Sequence, residues 1–359
     1  MPRCLYALDG GRSAAAVLRQ FGAAEGDLDA LLNYTDNPFD LSSPLVLEDE
    51  PSVRAWEGYL AESRTRGVVP VLRRVLLQLQ FPVCEGMSAR PEYRSAVRRG
   101  DTSGAPGEGL VFEDPDRIRL DLHPTPAGRL PVITVPNRVD FVSMVRALSR
   151  RNEPVPVPDT MGAVLLTGYN NWERVRAYRE RWAEGETGYE TWAEAFAAMA
   201  ESRPLYQDAI AVLSVGPYSG VPAVAAGVGE ESWRSLSSRI RLEHESAHYY
   251  CKRALGTMRA NAHDEVLADA YALAVGAGGY RSDWMRAFLG VDGRGRLWNY
   301  RGGLSVRAFT SVVSLVESAI DRLAVELAGW EVDQPCRAAA LVRHLAGRSL
   351  VEMAVSGRS

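Results

Sequence analysis

Apolar residues recur at helical spacing over most of this chain, broken by a few stretches that alternate or run continuously. In the first hundred residues, positions 12–21, 52–64 and 70–80 carry the three-to-four-residue rhythm of helices, the last through Val71, Leu72, Val75, Leu76 and Leu79. Residues 33–43, with Asn37–Pro38 among them, read as loop, and the Gly/Pro/Ser-rich run 100–109 as a flexible one. Strand signals come next. Residues 117–122 alternate polar with apolar and 130–135 follow a Pro/Gly-bearing turn, which predicts a hairpin with one solvated face. A helix over 139–150 stops before the stiff, extended stretch 154–158 with its three prolines. Residues 161–166 predict a strand that runs into Gly168-Tyr169-Asn170-Asn171-Trp172, either a pocket wall or a capped turn opening a helix. From there to Ser202 the chain reads as helical, ending at Pro204.

The pattern then changes. Residues 208–215 form a short apolar strand candidate, and a Gly/Pro/Ala loop, 216–229, leads to a long helix over 230–255. Ile240, His244, His248, Cys251 and Leu255 share one stripe of that helix, and Gly256 is its stop signal. A second helix starts near Asn261 or His263 and runs to Val275, breaking at the glycine-rich 276–279. Phe309, Val312, Val313, Val316, Ile320, Leu323 and Leu327 mark a long amphipathic helix, and a final helix begins at about Cys336. There is no internal repeat. The expectation is an α+β protein with a mixed α/β region over 1–204 and a mainly helical region with a small sheet over 205–359, packed as one body.

Composition narrows the function classes. The 359 residues are 46% hydrophobic and 24% charged, ordinary for a globular protein. A formal charge of -4 leaves no basic excess to neutralise phosphates, which argues against nucleic acid or a membrane surface as partner. Lys252 is the only lysine, so 40 of the 41 basic residues are arginine, the codon-usage fingerprint expected of a GC-rich bacterial genome. The N-terminal ten residues lack the apolar core of a signal peptide, and no run reaches the length of a membrane span. Cys4, Cys84, Cys251 and Cys336 are far apart with no C-x-x-C pair, so a reduced, cytoplasmic setting is expected.

The chemistry concentrates in one place. His244-Glu245-Ser246-Ala247-His248 sets two imidazoles one helical turn apart on a stripe that faces inward, with a glutamate beside the first. The chain has five histidines, and His244, His248 and His263 fall within twenty residues; His123 and His344 read as incidental. Two imidazoles at that spacing can share a metal ion, and the adjacent carboxylate can reach a metal-bound water as general base, although the bare five-residue pattern also occurs by accident in proteins with no metal. Glu265 and Asp269 lie four apart on the following helix, hence on one of its faces. Cys251 is a candidate fourth ligand or a packed small hydrophobe, and Tyr249, Tyr250, Tyr271, Tyr280, Arg259 and Arg281 are candidate oxyanion donors or packing residues.

The pairing of His244-Glu245-x-x-His248 with Glu265-x-x-x-Asp269, together with the Leu267-Ala268-Asp269 context, resembles the gluzincin metallopeptidases over about residues 232–275. That resemblance implies a zincin-like fold for the helical core. It also implies His244, His248 and Glu265 as zinc ligands, Glu245 as the catalytic base and Asp269 as the group that orients a ligand histidine. Residues 208–215 stand where such proteins place an edge strand. The link of 16 residues between His248 and Glu265 is tighter than in many gluzincins and leaves His263 and Asp269 open as third ligands. Zn2+ is the expected metal, with iron in a two-histidine, one-carboxylate set as the other chemistry of the same donors.

Three functions fit these residues. The first is a zinc-dependent hydrolase, a metalloprotease-like enzyme cleaving a peptide or amide bond with Glu245-activated water, its peptide held along the 208–215 strand. The second is a non-proteolytic zinc enzyme of bacterial specialised metabolism, acting on a small amino-acid-derived substrate. The third is a zincin-like binding or regulatory protein without catalysis.

Overall fold

The computed structural model describes residues 13–106, 109–330 and 335–355. Residues 1–12, Cys4 and Arg12 among them, and part of the 100–109 loop lie outside the described residues. The protein is α+β, mostly helical with one four-stranded mixed sheet. No helix among the described residues is long and apolar enough to cross a membrane.

The chain forms two compact units: one of residues 1–47 together with 217–359, the other of 48–216. This differs from a cut at 204/205 in two ways. The N-terminal segment joins the C-terminal half, and the strand at 208–215 belongs with the residues before it.

In chain order the elements begin with α1 (Ala14–Gln20) and α2 (Leu28–Thr35), both in the first unit. The second unit comprises α3 (Val53–Arg66), α4 (Val68–Val75), α5 (Pro91–Arg99), β1 (Arg119–His123), β2 (Leu130–Thr134), α6 (Arg138–Ser149), β3 (Ala163–Asn170), α7 (Trp172–Ala183), α8 (Trp192–Glu201) and β4 (Gln207–Leu213). The sheet order is β1-β2-β4-β3, with β2 and β4 parallel and the other pairs antiparallel. Two expectations are corrected here. β4 is an interior strand, buried along nearly its whole length, so it has no open edge for a peptide to pair with. The β1–β2 hairpin forms and β1 keeps the alternation, with Arg119 and Asp121 exposed and Leu120 buried, but four of the five β2 residues are buried, so β2 itself has no wet face.

A carboxylate ties this second unit together. Asp208, 2% exposed on β4, accepts from Trp56 Nε1 (2.8 Å), Asn171 Nδ2 (2.7 Å) and Arg174 Nη1 (2.6 Å). Asn171 also caps α7 through its side-chain oxygen, so the Gly168–Trp172 stretch is a capped turn, and Gly168, Tyr169, Asn170 and Trp172 line a cavity as well.

The first unit continues with α9 (Ala223–Ala226), α10 (Glu230–Ala254), α11 (Ala262–Gly276), α12 (Ser282–Leu289), α13 (Val306–Glu326), α14 (Pro335–Ala346) and α15 (Leu350–Val355). The predicted stripe of α13 is buried at Phe309, Val312, Val316, Ile320 and Leu323, each such side chain contributing roughly 1.5–3 kcal/mol. The N-terminal segment is held to α10 by polar contacts: Ser43 Oγ donates to the Ala254 carbonyl (2.5 Å) and Tyr250 Oη to that of Leu45 (2.9 Å).

The helices α10 and α11 are neighbours, joined by residues 255–261. The connection turns sharply through left-handed residues Gly256 (φ 80°) and Ala260 (φ 53°). It closes because Asp264 accepts from the amides of Arg259 (2.5 Å) and Ala260 (2.8 Å), while Asn261 Oδ1 accepts from Asp264 N (3.1 Å) as the cap of α11. At the far end Gly276 lets the helices close up: a β-carbon there would lie 3.1 Å from the backbone of Arg239 and Ile240.

Candidate metal centre

On adjacent antiparallel helices, a step of one turn backward on α10 matches a step of one turn forward on α11. His248 therefore meets Glu265 and His244 meets Asp269. His244 Nε2 and His248 Nε2 are 3.0 Å apart, Glu265 Oε1 is 3.5 Å from His248 Nε2, and Glu265 Oε2 is 3.6 Å from His244 Nε2. Donor atoms about 2.0–2.1 Å from a tetrahedral metal stand ~3.3 Å from one another, so each of these separations is close to that spacing, with the two oxygens of Glu265 facing one imidazole each. Among the described residues His244, His248 and Glu265 are the group whose ligand atoms converge this way, and all three are buried.

Behind the cluster, Asp269 Oδ1 lies 2.8 Å from His244 Nδ1 and accepts from Tyr218 Oη at 2.5 Å. A proton on Nδ1 directed at Asp269 leaves the Nε2 lone pair facing the cluster, the orientation a metal-binding imidazole needs. His248 has no such backing: its Nδ1 is buried and has no partner among the described residues. Arg296 completes the arrangement. Its guanidinium donates to Glu265 Oε2 (2.9 Å) and to Asp269 Oδ2, joining the two carboxylates from the far side. Tyr300 also faces Glu265.

The electrostatics follow from burial and pairing. Burial would raise the Glu265 pKa, but the hydrogen bond to His248 and the charges of His244 and Arg296 hold it down to about 2. Burial would lower that of His248, yet the hydrogen bond and charge of Glu265, helped by Glu245, raise it to about 9. Asp269 is likewise kept below the usual carboxylate range against burial, chiefly by Arg296 and His244.

The remaining sequence candidates fall as follows. Glu245 is 6% exposed, acts on His248 through its charge, and takes no hydrogen bond or ion pair among the described residues. His263 is buried against the ring of Phe39 (5.6 Å) and is not in the converging group. Cys251 is not in it either; burial pushes its thiol well above the usual range, so it sits as a packed hydrophobe. Four of the oxyanion candidates are engaged elsewhere: Tyr250 with Leu45, Tyr280 with the Ile320 carbonyl (3.1 Å), Arg259 with the Asp36 carbonyl (2.9 Å), and Arg281 with Asp283. Tyr249 and Tyr271 are buried on the two helices. Sequence reasoning missed Tyr218, Arg296 and Tyr300. Tyr218 stands in a loop with no periodicity, and Arg296 is one of 40 arginines with no motif around it.

Fold and site define a mostly helical α+β protein with a His-Glu-x-x-His helix and a second helix that returns two carboxylates to it. Residues 16–357 match a family described as a family of unknown function (DUF7005), and the chain belongs to that family. No curated protein and no solved structure matches it.

Proposed function

We propose that the protein is a zinc-dependent hydrolase acting on a peptide or amide bond, with a gluzincin-like ligand set. The observation that carries this reading is the convergence of His244 Nε2, His248 Nε2 and Glu265 within 3.0–3.6 Å. Those three side chains would hold the metal, Asp269 would fix the tautomer of His244, and Arg296, which donates to Glu265 Oε2, would steady that carboxylate beside the cluster. When bound, zinc supplies Lewis acidity and brings the pKa of a coordinated water down to about 7. Glu245, next to the cluster and uncommitted to a cation, accepts the proton of the attacking water and returns it to the leaving nitrogen.

Burial favours a variant of this reading. His244, Glu245 and His248 are 6%, 6% and 7% exposed, which weighs toward a small amino-acid-derived substrate over a long extended peptide.

The test joins metal content to turnover. Protein reconstituted with zinc and dialysed should retain one equivalent per chain in the wild type and in Glu245→Gln, and less in Glu265→Ala. Release of new amines from a mixed pool of peptides and N-acyl amino acids should fall by about 10²–10⁴-fold in Glu245→Gln. A reconstituted wild type without stoichiometric metal refutes the reading.

A further inference from the structure

The second unit holds a cavity of about 620 Å3 that has no part in the metal cluster. Its walls are α5, the turn after α6, and β3, the last strand in the sheet order. Every residue from Val164 to Asn170 borders it. Side chains of a strand alternate between faces, so an unbroken run of wall residues means that the cavity meets β3 along its outer edge. Midway along that edge the register shifts between Leu166 and Tyr169, with Gly168 in a left-handed conformation (φ 74°). Such a bulge interrupts the ladder of edge amides, which disfavours a long added strand and leaves room for a compact ligand.

The wall is strongly biased in charge. Arg94 and Arg98, one turn apart on α5, and Arg151 all line the cavity, and no aspartate or glutamate does. None of the three forms an ion pair among the described residues; Arg94 donates only to the Ser88 carbonyl (3.2 Å). Glu153, the acid nearest Arg151 in sequence, is occupied by the amides of Gly86 (2.9 Å) and Ser88 (2.8 Å). Tyr93 also borders the cavity; it is 3% exposed, and its hydroxyl is buried without a hydrogen-bond partner among the described residues. The backbone that carries the exposed Arg151 side chain is fixed: Arg151 and Asn152 are left-handed (φ 55° and 60°), and the buried Asn152 side chain donates to the carbonyls of Gln78 (3.0 Å) and Phe81 (2.9 Å).

Three guanidinium groups around one space call for an anion with several acceptors, and the guanidinium fork suits both carboxylate and phosphate. We infer that this cavity binds a small organic anion of at least two negative charges, its charged groups against Arg94, Arg98 and Arg151 and its carbon skeleton against Trp172. The volume is that of a small-molecule site. The inference is independent of the metal reading.

Calorimetric titration of the full-length protein with pyrophosphate and with citrate, at fixed ionic strength, tests it. At least one probe should bind saturably at one per chain. The pair Arg98→Gln with Arg151→Gln should weaken that binding by at least about tenfold, whereas Arg181→Gln, whose guanidinium pairs with Glu186 outside the cavity, should leave it unchanged. Preference for pyrophosphate assigns phosphate esters, and preference for citrate assigns polycarboxylates. Absence of saturable binding by both probes, or binding that survives the double substitution, overturns the inference.

Discussion

Replacing Arg296 by methionine tests the cluster without touching a proposed ligand. Methionine keeps much of the apolar stem and removes the charge. In the metal-free protein Arg296, 11% exposed at its side chain, faces Glu265 and Asp269, whose side chains are 3% and 0% exposed. Breaking a buried ion pair from one side costs about 3–5 kcal/mol, because the remaining charges stay desolvated without their partner. Near these two carboxylates the metal-free site carries Arg296 and a protonated His248 as counter-charges. A divalent ion at the cluster would replace the lost cation at close range, so the penalty should shrink when metal is present. The assay is urea denaturation of the wild type and Arg296→Met, each with excess chelator and with zinc. Zinc should narrow the gap between the two proteins, and its own stabilising effect should be larger in the variant. Equal loss of stability in chelator and in zinc would refute the reasoning, since the arginine would then be unconnected to the metal.

Three other outcomes follow from the structure. Zinc must displace a proton from His248, whose metal-free pKa is raised to about 9; affinity should therefore rise about tenfold per pH unit from pH 7 up to that value, with about one proton released per ion, measurable by calorimetry in buffers of different ionisation enthalpy. Asp208→Ala leaves Arg174 buried without its carboxylate and strips partners from Trp56 and Asn171, so it should cost about 3–5 kcal/mol in denaturant titration while zinc binding by the folded fraction stays unchanged. Gly276→Ala forces a methyl group against the backbone of α10 at Arg239 and Ile240; a loss of about 1–3 kcal/mol is expected by the same titration, with weaker zinc retention as the helices part.

The legible part of this protein was the part encoded locally. Helix α10, its inward stripe and the start and stop of α11 were readable because caps, glycines and apolar spacing act within a few residues, and Asn261 and Gly256 perform the roles their types suggest. The convergence of Glu265 on His244 and His248 was readable too, since both pairs are spaced by one turn. What stayed hidden depends on contacts distant in sequence. β4 looks like any short apolar strand; whether it lies inside or at the edge is decided by β2 and β3, some forty to eighty residues before it. Arg296 and Tyr218 reach the cluster from short 3₁₀ turns, too brief for a period to announce a partner. The joining of residues 13–47 to the C-terminal unit rests on ring contacts such as Tyr34 with Phe309 and Phe39 with His263, and on hydrogen bonds such as those of Ser43 and Tyr250, all between residues far apart in sequence.

The matched one-turn steps of α10 and α11 also fix where this protein can tolerate insertions. One residue added between His244 and His248, or between Glu265 and Asp269, rotates everything beyond it by about 100°, and one of the two facing pairs is lost. Residues in the 256–258 stretch of the connection carry no such constraint, because Asn261 and Asp264 reset the start of α11 locally. A library that varies loop length there, and leaves both helices intact, would keep the four side chains in register while changing what surrounds them.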